Sequence, residues 1–272
     1  SSTQVAALGT SQVSALTTDH IGVLSTQQVA ALSSAQVSAL TTAQVAAIET
    51  QNVQVLSSTQ VRAISTAGIA ALSTEQVVAL TTAQVANLGT QQVAALETAD
   101  LAAMETSDLV ALSNTQVRSL NTGHIASLTT EQAAALTSGQ LNALSSTQVT
   151  ALETSAIAAL GTAQVSALAS QQVSVLTTAQ IAAIETQDVA VMNVGQVRAL
   201  NTAQVQALDT AQVVALTTQQ VAALTSTQVG VISSAQAAAL ETQDVAALNT
   251  TSLRSLSTDA VAALATEQIA SL

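Results

Sequence analysis

Residues 41–48 read Thr41-Thr42-Ala43-Gln44-Val45-Ala46-Ala47-Ile48, and the rest of the chain is this octapeptide with variations. The 272 residues divide into 34 octads, and the register set at Ser1 never slips. Self-similarity at a fixed period points to a solenoid without an internal domain boundary, so residues 1–272 are expected to form one architectural domain.

Within the octad, position 8 is always Leu, Ile or Met, and position 5 is Val, Ile or Leu except at Ala133 and Ala237. These are the expected core positions. Position 7 is nearly always Ala and should face a close neighbour, while position 6 varies widely and should see water. Apolar residues three apart suit a helix and contradict the alternation by two of a half-buried strand. Ala, Gln and Leu are also good helix formers, so the chain reads as all-α.

Helix starts are marked at positions 1 and 2. Position 2 is Thr or Ser in all but two octads, the exceptions being Asn114 and Val194, the latter preceded by Asn193. These are favoured N-cap residues, and Thr41 with Gln44 has capping-box spacing, so the cap is position 1 or position 2. All sixteen acids fall at positions 1, 3 or 4, and all four arginines at position 6. The helix macrodipole favours that placement only if a helix begins in every octad. Each octad is therefore expected to be a helix of about two turns, far below the ~12–15 residues at which an isolated helix becomes marginal. Only stacking can hold it.

A longer period runs through the charges. The arginines lie in octads 8, 15, 25 and 32, and octads with acids, with octads 13 and 33 set aside, recur on average about every 3.4 octads. Residues 1–136 and 137–272 also match at an offset of 17 octads, which would be five turns of 3.4. The spacing predicts a superhelix of about 3.4 short helices, or about 27 residues, per turn and ten turns in all. Helices stacked ~8–10 Å apart would give a rod of roughly 80–100 Å.

Composition narrows the partners. Sixteen acids, four arginines, no lysine and a net charge of −12 repel nucleic acid and anionic lipid. No apolar run exceeds six residues, from Ala260 to Ala265, whereas a membrane helix needs about 20; a soluble chain without membrane insertion is expected. With no cysteine, a disulfide framework is excluded. Ser1 opens in full repeat register, so no signal peptide is expected.

Candidate chemistry is sparse. His20 and His124 are 104 residues apart, too far to share a metal, and both replace Gln at position 4, a surface or capping position. The hydroxyls recur as capping residues, with no base placed to activate them. Neither an enzymatic activity nor a small-molecule substrate is expected, and no cofactor. The candidate interaction stripe is a recurring set: Glu49 with Arg62, Glu105 and Asp108 with Arg118, Glu185 and Asp188 with Arg198, and Glu241 and Asp244 with Arg254. It reads as surface ion pairs between adjacent octads, each worth only ~0–1 kcal/mol, or as a recognition stripe. Calcium needs 6–8 converging oxygens, which one or two acids per turn do not supply. Regular threonines also suggest ice binding, but position 2 lies beside the core and is expected to be half-buried.

The run Leu40 to Ile48 resembles the tandem Thr-Ala-Gln-Val-Ala-Ala-Leu-Thr segments of very large bacterial surface or secreted proteins of adhesin-like type. The resemblance covers the whole chain, implies an extracellular spacer or stalk, and carries no catalytic residue across. A weaker similarity is to the first helix of transcription-activator-like effector repeats, whose longer repeats, proline and base-reading loops are missing here. The expected function is structural: a rod-like spacer or filament segment that associates with itself or with other domains of a larger protein. A protein- or glycan-binding solenoid is the alternative.

Overall fold

The computed structural model describes residues 1–272 and shows one helix per octad and no strand. Numbered by octad, the helices run from α1 (Ser2–Ala6) to α34 (Thr266–Ala270), each four to six residues long. In α6 (Thr42–Ala46) Thr41 is the N-cap: its Oγ1 accepts from the Gln44 N–H at 3.2 Å, and Gln44 Oε1 accepts from the Thr41 N–H at 2.8 Å. The cap is thus position 1, and the recurrent Thr of position 2 is the first helical residue. Asn114 accordingly lies inside its helix behind the cap Ser113, whereas Asn193 caps α25 (Val194–Ala199). From cap Thr41 to cap Ala47 the chain makes about two turns.

Each helix ends in the same way. The Ile48 N–H bonds the Val45 carbonyl at 3.1 Å, tightening the last turn, and the chain then enters the extended conformation of the next cap, as at Thr41 with φ −72° and ψ 160°. No residue adopts a positive φ. The corner therefore needs no glycine, and Ala, Ser, Thr, Asn, Asp or Glu can occupy it.

The chain divides into two compact units, Ser1–Ala135 and Leu136–Leu272. In each, a helix packs on the helix three octads further on. The first unit pairs α5 (Ser34–Ser38) with α8 (Ser58–Ala63) and α11 (Thr82–Ala86) with α14 (Thr106–Ala111). The second pairs α22 (Ser170–Ser174) with α25 and α29 (Ser226–Val229) with α32 (Thr250–Ser255). Side-chain hydrogen bonds reach one octad further, as from Gln44 to Leu16, 28 residues earlier. The turn thus closes between three and four octads, which brackets the 3.4 expected from the charge spacing. The architecture is an α-solenoid.

Positions 5 and 8 line its interior: Val61 and Ile64 are 0% and 4% exposed, Val221 and Leu224 0% and 5%. No aromatic residue takes part in this interior. A cavity of about 20 Å³ among Val205, Leu208, Val213 and Leu216 interrupts this packing, and its apolar walls give water no partner. No helix is long and apolar enough to cross a membrane.

Candidate functional site

The side chain that the sequence undervalues is position 4. Every octad from the fifth onward buries it, and a glutamine there serves two helices. Gln84, 2% exposed, accepts at Oε1 from the N–H of its own cap Thr81 at 2.6 Å. Its Nε2 donates to the carbonyls of Val53 and Leu56 in the octad four places earlier, at 2.8 and 2.6 Å. The Val53 carbonyl already accepts from the Leu56 N–H at 3.3 Å, whereas the Leu56 carbonyl lies past the helix end, where no intrahelical donor reaches it. One amide therefore caps the start of one helix and the end of another, one turn away. Gln132 does the same to Leu101 and Met104, Gln180 to Val149 and Leu152, and Gln228 to Val197 and Leu200. Where position 1 is Gly or Ala, as at Gly89 and Ala169, the cap N–H still reaches the amide.

Substitutions at position 4 are read against this ladder. His124 was expected at a surface or capping position; it does cap, but it is 1% exposed. Its Nδ1 accepts from the Asn121 N–H at 3.2 Å and its Nε2 lies 2.7 Å from the Leu96 carbonyl. With the proton on Nε2, the imidazole reproduces both roles of the amide. His20 makes only the cap contact, 3.3 Å from the Thr17 N–H, and is exposed. Asn52 keeps the donor half, 2.9 Å to Leu24, and leaves Oδ1 without a partner. At Gly68 an added Cβ would lie 2.7 Å from Ile64 Cγ2, so no side chain fits there unless Ile64 moves.

The acidic set separates into two layers. Glu49, Glu105, Glu185 and Glu241 are exposed N-caps. None caps through its side chain; Glu105, Glu185 and Glu241 instead accept from position 3 of the same octad, at 3.4 Å from Ser107, 2.9 Å from Gln187 and 2.7 Å from Gln243. The aspartates expected beside them on the surface stripe are buried: Asp108, Asp188 and Asp244 are 4%, 0% and 1% exposed, and Asp100 joins them at 1%. They are buried because position 4 faces the neighbouring turn. Asp108 accepts from Thr82 Oγ1 at 2.6 Å and Asp244 from Thr218 Oγ1 at 2.8 Å. Both oxygens of Asp188 lack a partner.

Arg62, Arg118, Arg198 and Arg254 are exposed. No ion pair joins Glu49 to Arg62, Glu185 to Arg198 or Glu241 to Arg254. Surface clefts open at these corners: about 340 Å³ beside Arg62, Thr66 and Thr90, about 340 Å³ beside Arg198, Thr225 and Asn249, and about 460 Å³ beside Glu185, Thr186 and Asp209. No three His, Asp or Glu side chains are grouped to hold a metal ion.

An unpartnered carboxylate in a row of amides has a measurable consequence. Burial first, and then the charge of Glu185, push the Asp188 carboxyl above its ordinary range. Burial also raises Asp244, against the Thr218 and Glu241 hydrogen bonds that lower it. A carboxyl whose folded pKa is raised stabilises the fold fully below its unfolded value, near 3.9, and loses that contribution as pH climbs through the folded pKa. The exposed Glu75 and Glu131, lowered by their own backbone N–H groups and by Ser73 and Thr129, act in the opposite sense. Asp188→Gln isolates the buried group. It supplies the missing donor to the Ile157 and Leu160 carbonyls and is expected to stabilise by about 1–3 kcal/mol at pH 7. Urea unfolding should show the gain shrinking toward pH 4; a neutral or destabilising effect at pH 7 would contradict the reading of the ladder.

The ALTTAQ repeat family matches residues 1–26, 21–47, 45–82, 101–138, 149–183, 181–218 and 237–272. No match is found among curated proteins. Those seven stretches cover most of the sequence, and on that ground the chain belongs to the ALTTAQ repeat family.

Proposed function

We propose that the chain is a non-enzymatic structural spacer or stalk that holds other parts of a larger protein apart. One observation carries this reading: the recurrent polar side chains join one turn to the next. Position 1 hydroxyls cap helices, and position 4 glutamines tie their octads to those four places earlier, as Gln84 does. A side chain so engaged is not poised for acid–base or nucleophilic work. The similarity to surface and secreted adhesin-like proteins favours an extracellular, bacterial setting. Electron microscopy of the purified chain tests the reading. Slender particles of uniform width are expected; globular particles would refute it.

A second reading, a module that binds a protein or glycan partner, is favoured by exposed apolar side chains beside the acids. Val55 is 39% exposed in the octad of Glu49 and Val191 41% in that of Glu185.

A further inference from the structure

The large exposed apolar residues away from the chain termini are not scattered. In the first unit they are Val23, Val55, Val78 and Val110, in octads 3, 7, 10 and 14. Each of these octads also carries a carboxylate, and at 3.4 octads per turn all four fall on one flank. In the second unit Val191 and Val214, in octads 24 and 27, repeat the pattern beside Glu185 and Asp209. Each unit thus has a flank where valines and acids lie together. Isolated exposed valines would need no explanation, but apolar side chains confined to one flank and rimmed by charge mark an interaction surface.

The partner can be read from the next octad. Arg62 follows Glu49 by one octad and Arg118 follows Glu105; Arg198 follows Glu185 and Arg254 follows Glu241. One octad is about a third of a turn, so in each unit the guanidinium groups occupy the adjacent flank. The two glutamates of a unit are seven octads apart, and so are its two arginines. Within one molecule Arg62, Arg198 and Arg254 make no ion pair with these acids.

We propose that this surface binds a second copy of the chain, side by side, with the valine and glutamate flank of one molecule against the arginine flank of the next. Equal spacing lets both Glu–Arg pairs of the second unit, through Arg198 and Arg254, form at one register, and the arginine stems lie over the valines as their charged heads reach the glutamates. The contact joins two different flanks, so a dimer leaves one of each unused and association continues into a ring or an open array. Repulsion from the net charge of −12 acts over a distance and is screened beyond about 8 Å at physiological salt, whereas paired charges in contact are screened less.

The proposal rests on the spacer reading, yet the two fail separately: slender particles that remain monomeric sink the association alone. The test is sedimentation velocity on the full chain across protein and salt concentration, with two exposed variant sets whose helicity is checked by circular dichroism. One carries Arg62→Glu, Arg118→Glu, Arg198→Glu and Arg254→Glu; the other Glu49→Arg, Glu105→Arg, Glu185→Arg and Glu241→Arg. The unaltered chain should associate reversibly near physiological salt and dissociate at high salt. Each set alone should weaken association about tenfold or more, and mixing the two should restore it. The glutamate-to-arginine set lowers the net negative charge, so nonspecific association would strengthen it, opposite to the expectation. A chain that stays monomeric, a set that associates as well as the parent, or a mixture that fails to recover would each overturn the proposal.

Discussion

Gln84→Glu is expected to destabilise the first unit by about 3–5 kcal/mol at pH 7, the scale of an uncompensated buried charge. The substitution preserves side-chain length and the oxygen that accepts from the Thr81 N–H. It turns the donor into an acceptor held against the Val53 and Leu56 carbonyls, where the native contacts are 2.8 and 2.6 Å. Three oxygens then converge with no hydrogen among them. Protonation restores one donor, so urea unfolding monitored by circular dichroism should show most of the deficit recovered near pH 4. The apolar Gln84→Met should also destabilise, by less, and without pH dependence. If Gln84→Glu unfolds at the same urea concentration as the parent at pH 7, the amide does not hold the turns together.

The second large effect belongs to the core. Leu101, 0% exposed in α13 (Thr98–Ala103), packs between α10 (Thr74–Val78) and α16 (Thr122–Ala126). Leu101→Ala is expected to cost about 2–5 kcal/mol, toward the upper end because the surrounding Val, Leu and Ile cannot reach across to fill the space. The damage should also be local, since each octad touches only its turn neighbours. Amide exchange should accelerate around α10, α13 and α16 and stay near parental rates around α5 of the same unit. Uniform acceleration through the unit would mean that the octads unfold as a block.

These two residues also mark what can be read from the sequence. Leu101 is legible because three-residue spacing and invariant apolarity at positions 5 and 8 are local signals, and the turn of about 3.4 octads is legible because the charges are periodic. Gln84 is only half legible. Its cap contact spans three residues and is written in the octad; its contacts to Val53 and Leu56 span 31 and 28 residues, beyond any local pattern. A compositional signal was nevertheless present. Position 4 is Gln in 23 of 34 octads and never Glu, although a capping box accepts either and a helix start favours the acid. Only a need for the amide N–H explains that bias. The same contact misplaces Asp108, Asp188 and Asp244: positions 3 and 4 look alike along the chain, and only the adjacent turn makes one surface and the other interior.

The corner at positions 8 and 1 has a further implication for how such a gene can vary. Because the corner recurs in every octad and the amide ladder in most of them, whole octads can be gained or lost by slippage or unequal recombination, and a position 4 glutamine still finds an octad four places behind it. Length is therefore free to drift in steps of eight residues, while a frame shift of any other size destroys the register. What such a step does change is azimuth. Everything after an inserted octad rotates by about a third of a turn, and side chains that shared a flank no longer do. Selection on the fold alone would let the spacing of Arg62 and Arg118 wander; the spacing of seven octads, kept at Arg198 and Arg254 where residues 137–272 repeat 1–136, is close to two whole turns and holds the two arginines of each unit on one flank.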